Sequence, residues 1–264
     1  MRYPLVQMLA LAGILVGAAA SLQAQENDPM KTGFLIETIS VHDTDHRYVV
    51  YVPEDYDAEK AWPLIVFLHG AGERGDDGLA QSTAGIGNAI RKDPSRFPAI
   101  VLMPQCPKDR LWNTQHDILD AQFARTREQY NIDPARIYLT GLSMGGYGAW
   151  LWGGIQTDTF AAIMPICGGG DPYAIQKLLN VEGGNPYGSL ASRLRALATV
   201  PIWAFHGGAD GVVPPQQSRD MVEAIKARGG NIQYTEYEGV GHNSWDKAYQ
   251  ESEGIEWLLK QRKE

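Results

Sequence analysis

Short apolar stretches recur along this chain without the polar interruptions of a one-sided sheet: L-I-V-F-L-H-G from Leu64, A-I-V-L-M-P-Q from Ala99, R-I-Y-L-T-G from Arg136, F-A-A-I-M-P-I from Phe160 and P-I-W-A-F-H-G from Pro201. A strand with one wet face alternates apolar and polar residues, so strands that do not alternate belong to a sheet covered on both faces, and that is the parallel kind. Between the runs, apolar residues recur at helical spacing over Ile118–Tyr130, Tyr147–Ile155 and Ser218–Ala227. Ile132-Asp133-Pro134 closes the first of these, because proline disfavours helix in the residue before it. A last strand is predicted over Asn231–Tyr237 and a final helix from about Asp246 to Arg262, striped by Ile255, Leu258 and Leu259. Upstream, Phe34–Val41 and Arg47–Pro53 flank the polar H-D-T-D-H and read as an antiparallel hairpin. Strand and helix otherwise alternate, which predicts one doubly wound α/β domain. Its 264 residues, 44% of them hydrophobic, supply a sizeable core.

The first residues follow other rules. Met1-Arg2, an apolar stretch from Leu5 to Ala20 and then S-L-Q-A-Q have the layout of a secretory signal peptide cut after Ala24. The apolar stretch is short beside the roughly 20 residues of a membrane span. The expectation is a leader of residues 1–24, a catalytic domain of residues 25–264, a secreted or periplasmic location, and no membrane attachment after cleavage. A net charge of -8 argues against a general nucleic-acid binder. Six scattered histidines and two separated cysteines offer no metal-ligand pair, and G-A-G-E-R-G lacks the Gly-Lys-Ser/Thr ending of a phosphate loop. No cofactor is expected. One segment, Asp171–Thr199, is longer than a crossover needs and contains V-E-G-G-N-P-Y-G. It reads either as a lid or binding loop, or as two small surface helices with a turn.

Chemistry gathers around T-G-L-S-M-G-G-Y-G-A-W, Thr140–Trp150. By itself G-x-S-x-G is weak, but here Ser143 follows a buried strand and opens a helix, the setting of a nucleophile elbow. A serine needs a base, and the base needs an acid to orient it. Asp210 lies in the loop after one predicted strand, in H-G-G-A-D-G-V-V-P, and His242 in the loop after the last, in E-G-V-G-H-N-S-W. Both loops leave carboxyl ends of strands, where sites in open α/β sheets form. Asp171 is the rival acid and Asp246 reads as the start of the last helix. His69 suggests a backbone role, His206 a buried place at the end of its strand, and His42, His46 and His116 the surface. An oxyanion needs two aimed N–H groups. Met144 supplies one, and Ala71, or failing that Gly72, the other.

Together, L-H-G-A-G-E-R-G-D-D, G-L-S-M-G-G-Y-G-A-W, P-I-C-G-G-G-D, W-A-F-H-G-G-A-D-G-V-V-P and G-V-G-H-N-S-W resemble the α/β-hydrolase superfamily. Within it they resemble the prolyl-oligopeptidase-like "predicted peptidases" and esterases, a branch related to polyhydroxyalkanoate depolymerases and feruloyl esterases. The resemblance runs from about Lys31 to the C-terminus. It implies a serine carboxylic-ester hydrolase working through an acyl-enzyme, with Ser143, Asp210 and His242 as triad. The segment around Val181–Ser192 looks longer than in typical members. The sheet order implied by the resemblance puts two strands between those that end at Cys106 and Cys167, three spacings of about 4.8 Å, so both thiols are expected free. Gln105, Trp112 and Trp245 lie in loops expected to reach the pocket as substrate-binding residues. Glu73 and Arg74 either bind substrate or pair to pin the oxyanion loop. The expected substrate is a small-molecule or polysaccharide-linked ester, with acyl or feruloyl esters on plant polysaccharide one form suggested by export. The alternatives are a serine peptidase, an acyltransferase and a non-catalytic member of the fold. Oligopeptidases of this kind carry a large gating domain for which this sequence leaves no room, which ranks the ester first.

Overall fold

Backbone pairing in the computed structural model, which describes residues 31–156, 158–180, 189–251 and 253–264, builds one eight-stranded sheet. The predicted leader and residues 181–188, the V-E-G-G-N-P-Y-G stretch, lie outside the described residues. The strands are β1 (Gly33–Val41), β2 (Thr44–Val52), β3 (Trp62–Leu68), β4 (Ile100–Pro104), β5 (Ile132–Leu142), β6 (Ala162–Ile166), β7 (Ile202–Gly207) and β8 (Ile232–Tyr237). Their order is β1-β2-β4-β3-β5-β6-β7-β8. From β4 onward every pairing is parallel, and β1 and β2 add antiparallel to the edge.

Apart from Arg136, Pro201 and Trp203, which are half-buried, the residues of the five apolar runs are buried because both faces of the sheet are covered. Along β3, Leu64, Val66 and Leu68 enter one core, and Ile65 and Phe67 the other. The first core takes in α2 (His116–Gln129) through Leu119, α3 (Met144–Gly153) through Trp150 and Trp152, and α6 (Gln216–Lys226) through Met221 and Ile225. The second holds α1 (Ile86–Lys92) through Ile86 and Ile90 and α7 (Gly254–Lys260) through Ile255 and Leu258. Every residue of α3 is buried, so the helix after the elbow is the central one of its layer.

Three elements differ from the sequence reading. The hairpin turn is His42-Asp43 alone, both at positive φ (50° and 57°), so β2 begins at Thr44 and takes in most of H-D-T-D-H. A two-residue turn of that hand suits the right-handed twist of the paired strands. β5 starts at Ile132, four residues before the apolar run, through an irregular register with Trp62. The single final helix is instead a π-helical turn, Lys247–Glu251, followed by α7. The wider turn buries Ala248 and Tyr249, and the Tyr249 hydroxyl lies 2.8 Å from Thr140 Oγ1 inside β5.

The segment from Asp171 to Thr199 contains two short helices, α4 (Pro172–Leu179) and α5 (Leu190–Leu197). Buried Arg193 ties α5 to the strand ends by donating from Nη2 to Gly170 O at 3.1 Å.

Cys106 and Cys167 are free, fully buried, and separated in the sheet by β3 and β5. Burial pushes both thiols up to about 12. Iodoacetamide at pH 8 is therefore expected to leave the native protein unlabelled and to label two thiols after denaturation without reductant. Mass spectrometry showing a Cys106–Cys167 bond contradicts the strand order.

Candidate active site

The carboxyl ends of β3, β5, β7 and β8 converge on Ser143. This residue lies between β5 and α3 with φ 53° and ψ −118°, a conformation that costs an ordinary side chain about 1–3 kcal/mol. Fully burying a single large apolar side chain such as Leu151 contributes about as much, and α3 also buries Trp150 and Trp152, so packing holds the turn. The glycines explain how it closes. A Cβ on Gly145 would stand 1.8 Å from Leu68 O, and one on Gly141 2.2 Å from Gly145 O. Neither position accepts a side chain.

Ser143 Oγ lies 2.9 Å from His242 Nε2, and His242 Nδ1 lies 2.7 Å from Asp210 Oδ2. Because Nδ1 faces a carboxylate it carries the proton, which leaves Nε2 to accept from the serine hydroxyl. Asp210 has a fully buried side chain and that of His242 is 19% exposed, so the imidazole is the member open to solvent. Asp210 Oδ1 accepts the N–H groups of Val212 and Val213 at 2.8 and 2.9 Å. The rival carboxylates are occupied elsewhere. Asp171 caps α4 by accepting from Tyr173 N–H, and Asp246 is bonded by Asn243.

Beside the serine, Met144 is the first residue of α3 and Ala71 the first of a 3-10 turn, Ala71–Glu73. First-turn N–H groups have no carbonyl one turn back to bond. His69 holds the loop that carries Ala71. Its Nε2 accepts Cys106 N–H at 2.9 Å, so its Nδ1 carries the proton and donates to Gly70 O at 2.6 Å. Burial lowers its pKa to about 4. It is a neutral clamp, and Glu73 Oε2, 4.0 Å away, is beside it without forming an ion pair. Arg74 adds to the loop through Ala71 O at 3.0 Å and Arg110 O.

Two expected substrate residues turn inward. Gln105 is 4% exposed: its Oε1 accepts from Gly78 N–H and its Nε2 donates to Glu73 O and Asp77 Oδ1. Trp112 is buried, donates from Nε1 to His69 O, and sets its ring edge-on to His69 at 4.9 Å. Both fasten the loop that carries Ala71, because its backbone polar groups need partners that the sheet does not provide. Trp245 does reach the site, half-buried with its ring perpendicular to His242 at 5.4 Å. His42, His46 and His116 line a groove of about 820 Å³ with Arg110, Asn113 and Gln115, and neither Ser143 nor His242 lines it. Among the described residues no three His, Cys, Asp or Glu side chains converge as metal ligands, and no helix is long and apolar enough to cross a membrane.

The sequence reading placed His206 inside the protein but missed what it does there. Its Nε2 lies 3.1 Å from Asp210 Oδ2, and the four-residue spacing of H-G-G-A-D was the available signal.

The lowered pKa of His69 makes stability depend on pH. The unfolded chain binds a proton at this histidine near pH 6.5 and the folded chain near 4, so its contribution is complete above 6.5 and is lost as pH falls toward 4. The displacement corresponds to about 3 kcal/mol. In urea titrations between pH 7 and 4, the wild type is expected to lose about that much more stability than His69→Gln, whose amide oxygen can still accept Cys106 N–H. Equal slopes contradict the clamp.

A thermostable esterase of known structure is 36% identical, with a TM-score of 0.72 over 87% of this chain and 63% of its own. Poly(3-hydroxyalkanoate) depolymerase C of Paucimonas lemoignei is 25% identical over 202 residues, 67% of this chain and 45% of that one. A feruloyl esterase module from Clostridium thermocellum shares the fold at 16% identity, with a TM-score of 0.60 over 86% of this chain and 88% of its own. This chain therefore spans under half of the depolymerase and less than two thirds of the thermostable esterase. The prolyl oligopeptidase family profile matches residues 109–263, more than half of the sequence and the part that contains Ser143, Asp210 and His242: the chain belongs to that family and has the α/β-hydrolase fold.

Proposed function

We propose that this protein is a serine hydrolase that cleaves carboxylic esters through an acyl-enzyme. The observation that carries the reading is the unbroken line of hydrogen bonds from Ser143 Oγ through His242 to Asp210 Oδ2. His242 takes the Ser143 proton as Oγ adds to the carbonyl carbon, and Asp210 steadies the imidazolium that forms. The N–H groups of Met144 and Ala71 receive the oxyanion. His242 then protonates the departing alcohol, and water, deprotonated by the same imidazole, releases the acid and restores Ser143.

An ester substrate is supported by the thermostable esterase and the depolymerase among the similar proteins. The family itself is named for peptidases, which supports amide cleavage as the second reading. For the acyl group, the half-buried Trp245 ring beside His242 offers an apolar wall suited to an aryl acid such as a feruloyl group. For location, the reading of residues 1–24 as a leader implies export, and a polysaccharide-linked ester outside the cytoplasm fits both.

Ser143→Ala is expected to lower kcat by roughly a million-fold, with KM for p-nitrophenyl acetate little changed. Wild-type turnover in that variant contradicts the reading. Methyl ferulate, acetylated xylan, p-nitrophenyl esters and aminoacyl amides assayed side by side are expected to show esters cleaved faster than amides. The reverse order moves the assignment to a peptidase.

A further inference from the structure

We infer that His206 is a positioning residue for the reaction: from the buried side, its Nε2–H holds the same Asp210 oxygen that His242 Nδ1 engages from the open side. The inference rests on the reading that Ser143, Asp210 and His242 act as a unit. His206 is the penultimate residue of β7, is fully buried, and bonds to Asp210, Val213 and Ser218 inside the protein. Its Nε2 faces two acceptors, Asp210 Oδ2 at 3.1 Å and Val213 O at 3.0 Å. Neither oxygen has a proton to give while Asp210 is a carboxylate, so Nε2 carries one. Its Nδ1 lies 2.7 Å from Ser218 Oγ on α6 and, in a neutral ring protonated on Nε2, accepts that hydroxyl's single proton, which then does not go to Gly168 O 2.9 Å away. The two acceptors at Nε2 set the tautomer, and Ser218 adds only a contact on the far side of the ring.

The consequence falls on Asp210. Oδ1 accepts two backbone N–H groups and Oδ2 accepts two imidazole N–H groups. A carboxylate bonded twice on each oxygen cannot rotate about χ2 without breaking several bonds at once, so His242 is aimed by a rigid acceptor. The two imidazoles also share the charge on Oδ2. Without His206 that charge would face His242 alone.

The titratable groups around His206 are few. Asp210 and His242 face it from their loops, and Glu236 approaches from β8, held by a bidentate contact with Arg219 at 2.6 and 2.8 Å. Tyr147 on α3 and Cys167 after β6 approach Asp210, and burial raises both pKa values, so they stay protonated. Burial is also the largest influence on His206 and lowers its pKa.

The test separates positioning from mere filling of space. Glutamine can place its Nε2 near the histidine Nε2 and donate to Asp210, whereas asparagine is too short. With p-nitrophenyl acetate, His206→Asn is expected to lower kcat about tenfold and to move the acidic limb of the kcat/KM profile up by about half a pH unit. His206→Gln is expected to restore both. Ser218→Ala, which removes only the partner on the far side of the ring, is expected to leave the limb in place. A folded His206→Asn with a wild-type limb overturns the inference, and so do Asn and Gln variants that behave alike. Nitrogen-15 NMR of the wild-type histidines needs no variant and no substrate: Nε2 of His206 is expected to stay protonated from pH 5 to 9, and a ring protonated only on Nδ1 overturns the inference. Absence of Ser143-dependent turnover in the wild type counts against the hydrolase reading instead, since the NMR result stands apart from it.

Discussion

The contact on which the rest depends is the one between the backbone of Gly145 and the carbonyl of Leu68. A single methyl group on Gly145 would stand 1.8 Å from Leu68 O and 2.7 Å from His69 O. That closeness joins the first turn of α3 to the last residue of β3. It brings the strand that ends in the nucleophile against the strand that ends in the oxyanion loop, so Met144 and Ala71 are set from adjacent strands. Ser143 lies at this junction in its strained conformation, and the wholly buried α3 keeps it there. Site geometry and core packing are one arrangement.

Around that junction the polar groups fall into two clamps of one design. His69 and His206 each stand at the carboxyl end of a buried strand, each is followed by glycine, and each is fully buried with both ring nitrogens engaged. His69 fixes the loop that carries Ala71, and His206 holds the carboxylate of Asp210, the acid of the proposed triad. An unbonded buried imidazole is costly, so these rings resist rearrangement and give rigidity to loops that lack a ladder of their own. Gln105 and Trp112 extend the first clamp, since their polar atoms bond the same loop.

How much of this was legible in the sequence follows from what a sequence encodes locally. The five apolar runs mark the buried strands because burial on both faces leaves a local signature, and Ser143 and Asp210 each follow such a run, while His242 follows the last predicted strand. Ordering those strands in space, with Cys106 and Cys167 apart, needed the resemblance as well. Side-chain direction left no such signature. Gln105 and Trp112 stand in loops near the site, but whether they face the ligand or the loop depends on which backbone groups lack partners, and only the fold decides that. The π-helical turn at Lys247–Glu251 was hidden for a related reason: Tyr249 reaches across to Thr140, a contact 109 residues away in sequence. The role of His206 was half visible, since the histidine and Asp210 are four apart on one strand-end loop and only their shared oxygen required the structure.

The central claim is that Ser143 is an activated nucleophile because His242 and Asp210 are lined up behind it. Reaction with a fluorophosphonate followed by peptide mass mapping tests this most directly, since the probe reports on nucleophile activation whatever the natural ester. The account predicts one adduct, on Ser143, formed rapidly in the wild type and lost or strongly slowed in His242→Ala. An adduct on another residue, or labelling of Ser143 at the same rate without His242, would contradict it.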